Sequence, residues 1–101
     1  METRLEIATD AGRFIRQHSL SSALKAIRET VGETYQEVDQ IIVDLREDPE
    51  IEDFQCLAVT LRLRGGIAEI LESERKARIL LRRRLAAGDY KRFVLSYELP
   101  A

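Results

Sequence analysis

Two runs of strict two-residue alternation constrain this chain more than any other feature. Ile41, Val43 and Leu45 alternate with Gln40, Ile42 and Asp44, and Leu57, Val59, Leu61 and Leu63 alternate with Cys56, Ala58, Thr60 and Arg62. Successive side chains of a strand point to opposite faces, so each run describes a ribbon with one apolar and one mixed face. Between the runs, Glu47 to Asp53 is polar and holds Asp48-Pro49. Proline there presets a turn and lacks the N–H that a ladder needs. The two runs predict an antiparallel hairpin. A lone hairpin is barely stable in water, so its apolar face must be covered by the rest of the chain.

The flanking segments have the period to provide that cover. Leu20, Leu24, Ile27 and Val31 recur at helical spacing after Ser19, a capping residue type, and Gly32 is the expected C-terminal turn. Thr9 and Asp10 can cap a shorter helix containing Ala11, Phe14 and Ile15. Its phase does not continue into Leu20, so a break near His18-Ser19 is expected. Arg4 to Ala8 alternates and suits either an edge strand or the lead-in to that helix. After Gly65-Gly66, one stripe takes in Ile67, Ile70, Leu71, Ala77, Leu81 and Leu85, predicting a long helix from Ile67 to Ala87 closed by Gly88. Phe93, Leu95, Tyr97 and Leu99 then alternate with Val94, Ser96 and Glu98 as a last strand.

The order α-β-β-α-β describes one small α+β domain over residues 1–101. It forms a two-layer sandwich in which both helices cover one face of an antiparallel or mixed sheet of three to four strands. A crossover through the long helix lays the last strand parallel to the hairpin's second strand. The economical placement puts it beside the first, making that one central. With Arg4 to Ala8 as a strand, the arrangement becomes ferredoxin-like.

Little in the sequence points to catalysis. His18 is the sole histidine, and no base is positioned by sequence to activate a nucleophile. Cys56 is the sole cysteine, which excludes an internal disulfide and a Cys-rich metal site and suits a reducing compartment such as the cytoplasm. Gly65-Gly66 lacks the spacing of a phosphate-binding loop. The acids of Asp44 to Asp53 lack the glycine of a calcium loop and read as a solvated hairpin tip. No apolar run approaches the ~20 residues of a membrane helix. The first residues lack the basic flank and apolar core of a signal peptide. The expectation is a non-enzyme with no cofactor and no metal.

Charge is strongly polarised although the chain is near neutral. Glu33 to Asp53 holds nine acids and one base, a net of −8, and Arg75 to Arg92 holds eight bases and one acid, a net of +7. In the long helix the acids precede the bases, which suits the helix dipole, and Glu72–Lys76 and Glu74–Arg78 are favourable pairs. With the helices on one side, the other sheet face carries Ile42, Cys56, Ala58, Thr60, Val94 and Ser96. Its apolar centre, Ile42, Ala58 and Val94, suits a sheet-to-sheet homodimer.

These features favour a small protein-interaction or regulatory module that self-associates and meets a second protein. The alternative is a nucleic-acid binder gripping phosphates with Arg75, Arg78, Arg82, Arg83, Arg84 and Arg92. Against it, Arg82-Arg83-Arg84 must spread around a helix, and Phe93 and Tyr97 fall on the core side, leaving no aromatic platform.

Overall fold

A computed structural model of the chain describes residues 3–47 and 54–99, so the Asp48-Pro49 turn and most of the acidic tip lie outside the described residues. The elements follow in the order β1 (Arg4–Ile7), α1 (Thr9–Gln17), α2 (Ser21–Thr34), β2 (Val38–Glu47), β3 (Gln55–Leu63), α3 (Ile67–Arg84), α4 (Ala87–Tyr90) and β4 (Phe93–Glu98). They build a small α+β sandwich with a four-stranded mixed sheet. Among the described residues, no helix is long and apolar enough to cross a membrane.

The alternating runs pair as the expected hairpin, with Ile42 opposite Thr60 and Asp44 opposite Ala58. The sheet order is β1-β2-β3-β4, which corrects the placement of the last strand. β4 lies parallel to β3, not beside β2, and β1 takes the outer edge of β2, also in parallel. Both hairpin strands are therefore central. The element order is that of a ferredoxin-like chain once Arg4–Ile7 is a strand, but no strand separates the two members of either parallel pair. The split βαβ arrangement is absent for a simple reason. β1 occupies the edge of β2, so a strand returning from α3 can no longer pair with β2, and it takes the edge of β3.

The break between α1 and α2 has a specific cause. Ser19 sits in the left-handed region at φ 54°. Around it, Ser19 N–H donates to the Arg16 carbonyl at 3.4 Å and Leu20 N–H to the Ile15 carbonyl at 2.9 Å. This is the paired closure of a Schellman turn, in which the residue after the left-handed position packs back on the helix. Leu20 is that residue and is buried. Ser19 thus ends α1 and does not cap α2, whose side-chain capping bond is missing. Gly32 also lies inside α2, which runs on to Thr34 before Tyr35 turns extended and is buried.

α3 departs from its expected extent and stripe. It ends at Arg84, where Leu85 turns extended and drops into the core, and Gly88 belongs to the short α4. Ile70, Ala77 and Leu81 are buried, whereas Ile67, Leu71 and Ile79 are exposed. The covered stripe is narrower than the apolar pattern because the helix is covered mainly by α2 on one side. At its start Gly65 has φ 121°, a conformation that only glycine adopts freely.

Leu5, Ile41, Val43, Leu57, Val59, Leu61, Leu63, Phe93, Leu95 and Tyr97 pack in one cluster with Phe14, Ile15, Ile27, Val31 and Leu81 of the helices. All helices thus lie on the odd-numbered face of the sheet. Thr30 is buried among them, donates to the Ala26 carbonyl at 2.7 Å and receives Arg84 at 2.9 Å, while Arg84 also pairs with Glu33 at 2.8 Å. Truncating a core leucine such as Leu61 should cost about 2–5 kcal/mol, whereas an exposed ion pair contributes about 0–1 kcal/mol. Replacing Ser19 by glycine relieves the left-handed strain and is expected to raise stability by about 0.5–1 kcal/mol in urea unfolding. A Ser19→Gly protein no more stable than the parent would show that the serine is not strained there.

Candidate functional site

The uncovered face of the sheet is built by register. Reading across the strands, Arg4, Gln40, Arg62 and Glu98 form one row, and Glu6, Ile42, Thr60 and Ser96 the next. Asp44, Ala58 and Val94 form a third, with Arg46 and Cys56 beyond it. The first row is tied within itself and to Glu6 of the next. Gln40 Nε2 donates to Glu6 at 3.3 Å, Arg62 donates to Gln40 Oε1 at 3.1 Å, and Arg62 Nε donates to Glu98 at 2.9 Å. Thr60 and Ser96 share a hydrogen bond of 3.0 Å. The structure therefore brings together all six residues expected on this face.

Their exposures differ. Val94 is 50% exposed and Ile42 is half-buried, but Cys56, Ala58 and Thr60 are buried although no helix among the described residues covers them. Ala58 lies between Asp44 and Val94, whose larger side chains rise on either side. The face is a shallow trough along β3 with Ile42 and Val94 on its shoulders. Three bases (Arg4, Arg46, Arg62) and three acids (Glu6, Asp44, Glu98) surround it, so its net charge is zero.

The six arginines of the basic region do not share one surface. Arg84 is bound to Thr30 and Glu33, and Arg78 to Glu74 at 2.7 Å. Arg92 lies over the rings of Phe54 (5.1 Å) and Phe14 (5.7 Å) and donates to the Gln55 carbonyl at 3.2 Å. Arg82 lies 5.9 Å from the ring of Tyr90. Arg75 and Arg83 are exposed and have no ion pair among the described residues.

One polar cluster was not anticipated. Tyr35, after α2, donates to the Tyr97 hydroxyl on β4 at 3.2 Å, close to the half-buried Glu74 and its partner Arg78. The available signal was Tyr97 itself, a tyrosine on a core-facing position whose hydroxyl needs a partner. Burial raises the pKa of both tyrosines, and for Tyr97 the Tyr35 bond and the nearby Glu74 push it further the same way. His18 stacks on Phe14 with ring centroids 4.3 Å apart, and no group of three or more His, Cys, Asp or Glu able to hold a metal occurs among the described residues.

Two grooves accompany these features. One, of about 350 Å³, is lined by Leu5, Val31, Val38 and Ile41 with Lys25 and Arg28 at its rim. The other, of about 270 Å³, runs between α3 and the outer edge of β4. Comparison of the chain with models of known families, with characterised proteins and with solved structures finds no match.

The tyrosine pair makes stability depend on alkaline pH. Unfolded tyrosines ionise near pH 10, and the folded pair holds its protons to higher pH. The stability they contribute is therefore complete below about pH 10 and falls as pH rises beyond it. Urea unfolding at rising alkaline pH should show that fall, and Tyr97→Phe should make it shallower.

Proposed function

We propose that this chain is a non-enzymatic interaction module of the cytoplasm that works as a homodimer through its open sheet face. Ile42, Ala58 and Val94 in neighbouring rows of an uncovered, net-neutral face carry this reading. Zero net charge lets two copies approach without the repulsion that a face of one sign would bring. The ion pairs at one end and Arg46 at the other supply a polar rim around a less polar middle, the anatomy of many interfaces. Four strands about 4.8 Å apart, sharing a paired stretch of about six residues, give a face of roughly 400 Å² in projection. With rim side chains this reaches toward the ~800 Å² per partner of specific complexes, so a dimer of modest affinity is expected. The lone buried thiol of Cys56 suits a reducing compartment.

The nucleic-acid alternative has less support, because Arg78, Arg84 and Arg92 already engage protein groups. The two readings part in light scattering at low and high salt, with ultraviolet absorbance recorded. A dimer at both salts is expected, because an apolar contact is nearly indifferent to salt while phosphate contacts weaken steeply. Val94→Lys puts a charge into the apolar part of the face on each copy and should give a monomer with unchanged circular dichroism. A parent protein that is monomeric at high micromolar concentration would remove the dimer, and co-purified nucleic acid stripped by salt would favour the alternative.

A further inference from the structure

The outer edge of β4 is a row of backbone groups with nothing paired to them in the sheet. Leu57 N–H donates to the Arg92 carbonyl at 2.7 Å. In a parallel ladder only alternate residues turn their backbone groups toward a given neighbour. Arg92, Val94 and Ser96 thus face β3, and Phe93, Leu95 and Tyr97 turn N–H and C=O outward. The outward groups of these three enter none of the loop, turn or cap bonds among the described residues. A free edge of this kind is a template for another strand.

Beside the edge lies the groove of about 270 Å³, walled by Leu81 of α3, by Leu85 just beyond its end, by Tyr90, and by Phe93, Val94 and Leu95. Arg78 stands at its wall, and Arg82, lying over Tyr90, stands at its rim. Leu71 and Ile67 precede Arg78 by seven and eleven residues, within about 20° of it around the helix at ~100° per residue. Both are exposed, so the apolar wall of α3 continues beyond Arg78 without a partner.

We infer that this edge and groove bind an extended, acidic segment of a second protein, which adds a strand to β4. Alternate apolar side chains of that strand enter the groove, as strand addition requires. Its charge is set by Arg82 and Lys91, which have no ion pair among the described residues, and by Arg78, which shares its charge with Glu74. That charge also argues against a second copy at this edge, since pairing β4 with β4 would bring the same cations together. A nucleic-acid backbone fits poorly because phosphates only accept hydrogen bonds, whereas Leu95 and Tyr97 present both donors and acceptors. The groove shares Val94 with the open sheet face, but the outward backbone of Phe93, Leu95 and Tyr97 is free whether or not that face forms a dimer.

The test uses the whole protein and a labelled, end-blocked peptide of alternating valine and glutamate, of the length of β4, followed by fluorescence anisotropy and by amide nuclear magnetic resonance. Saturable binding is expected, several-fold weaker at high salt, with slowed exchange at the amides of Phe93, Leu95 and Tyr97. The Arg78→Glu/Arg82→Glu protein should lose about tenfold or more in affinity while keeping its circular dichroism. Absence of saturation, equal binding of a valine–lysine peptide, or amide changes confined to Ile42 and Ala58 would each overturn the inference. So would protection of Leu95 that grows with protein concentration without peptide, which would give the edge to a second copy.

Discussion

The antiparallel ladder between β2 and β3 is the interaction on which the rest of the fold depends. It is the only antiparallel pairing among the described residues, and both of its strands are central. β1 attaches to one side of it, β4 to the other, and the helices to its odd-numbered face. β3 takes the heaviest share, with partners on both edges and every residue from Cys56 to Leu61 buried. A continuous apolar strand of this type belongs to the middle of a sheet, where neither edge nor most of either face meets water. The ion pairs among the described residues lie mostly at exposed positions; Arg62–Glu98 and Arg64–Asp39 join strands and Arg84–Glu33 joins α2 to α3, each at the margin.

The hairpin was legible in the sequence because alternation is a local signal that pairing does not alter. The face assignment followed from it, since one parity holds for a whole strand. The break at Ser19 was also legible as a change of phase between Ile15 and Leu20. Sheet order was not, because it depends on which edge remains free once Arg4–Ile7 has paired, and four residues that suit strand or helix equally cannot announce that they occupy an edge. The same limit applies to α3. Ile67 and Leu71 fit an apolar stripe by spacing, but whether a neighbour exists to cover them is a property of the assembled layers.

The surfaces were legible to different degrees. The open face could be enumerated residue by residue, yet its trough shape came from the unequal heights of Asp44, Ala58 and Val94 in one row. The basic region was visible as composition and misleading as a surface. Arg84 turns to Thr30 and Glu33 on α2, and Arg92 turns to two phenylalanines, so part of the charge serves to join elements. The contact of Tyr35 with Tyr97 spans 62 positions and leaves no periodic trace.

The two parallel pairs share a feature that bears on how the chain acquires this arrangement. Arg4 pairs with Gln40 and Leu57 with Phe93, and in both pairs the partners are 36 positions apart, the separation also of Thr60 and Ser96. Closing a loop of that length costs about 3 kcal/mol in chain entropy, and the two loops carry the same toll. The hairpin closes over a much shorter one. It should therefore form first, with neither edge strand ahead of the other on entropic grounds, so that docking order is decided by side-chain burial alone. Until both have docked, a half-built sheet shows a bare edge at its centre, and at high concentration that interval is when chains would misassociate.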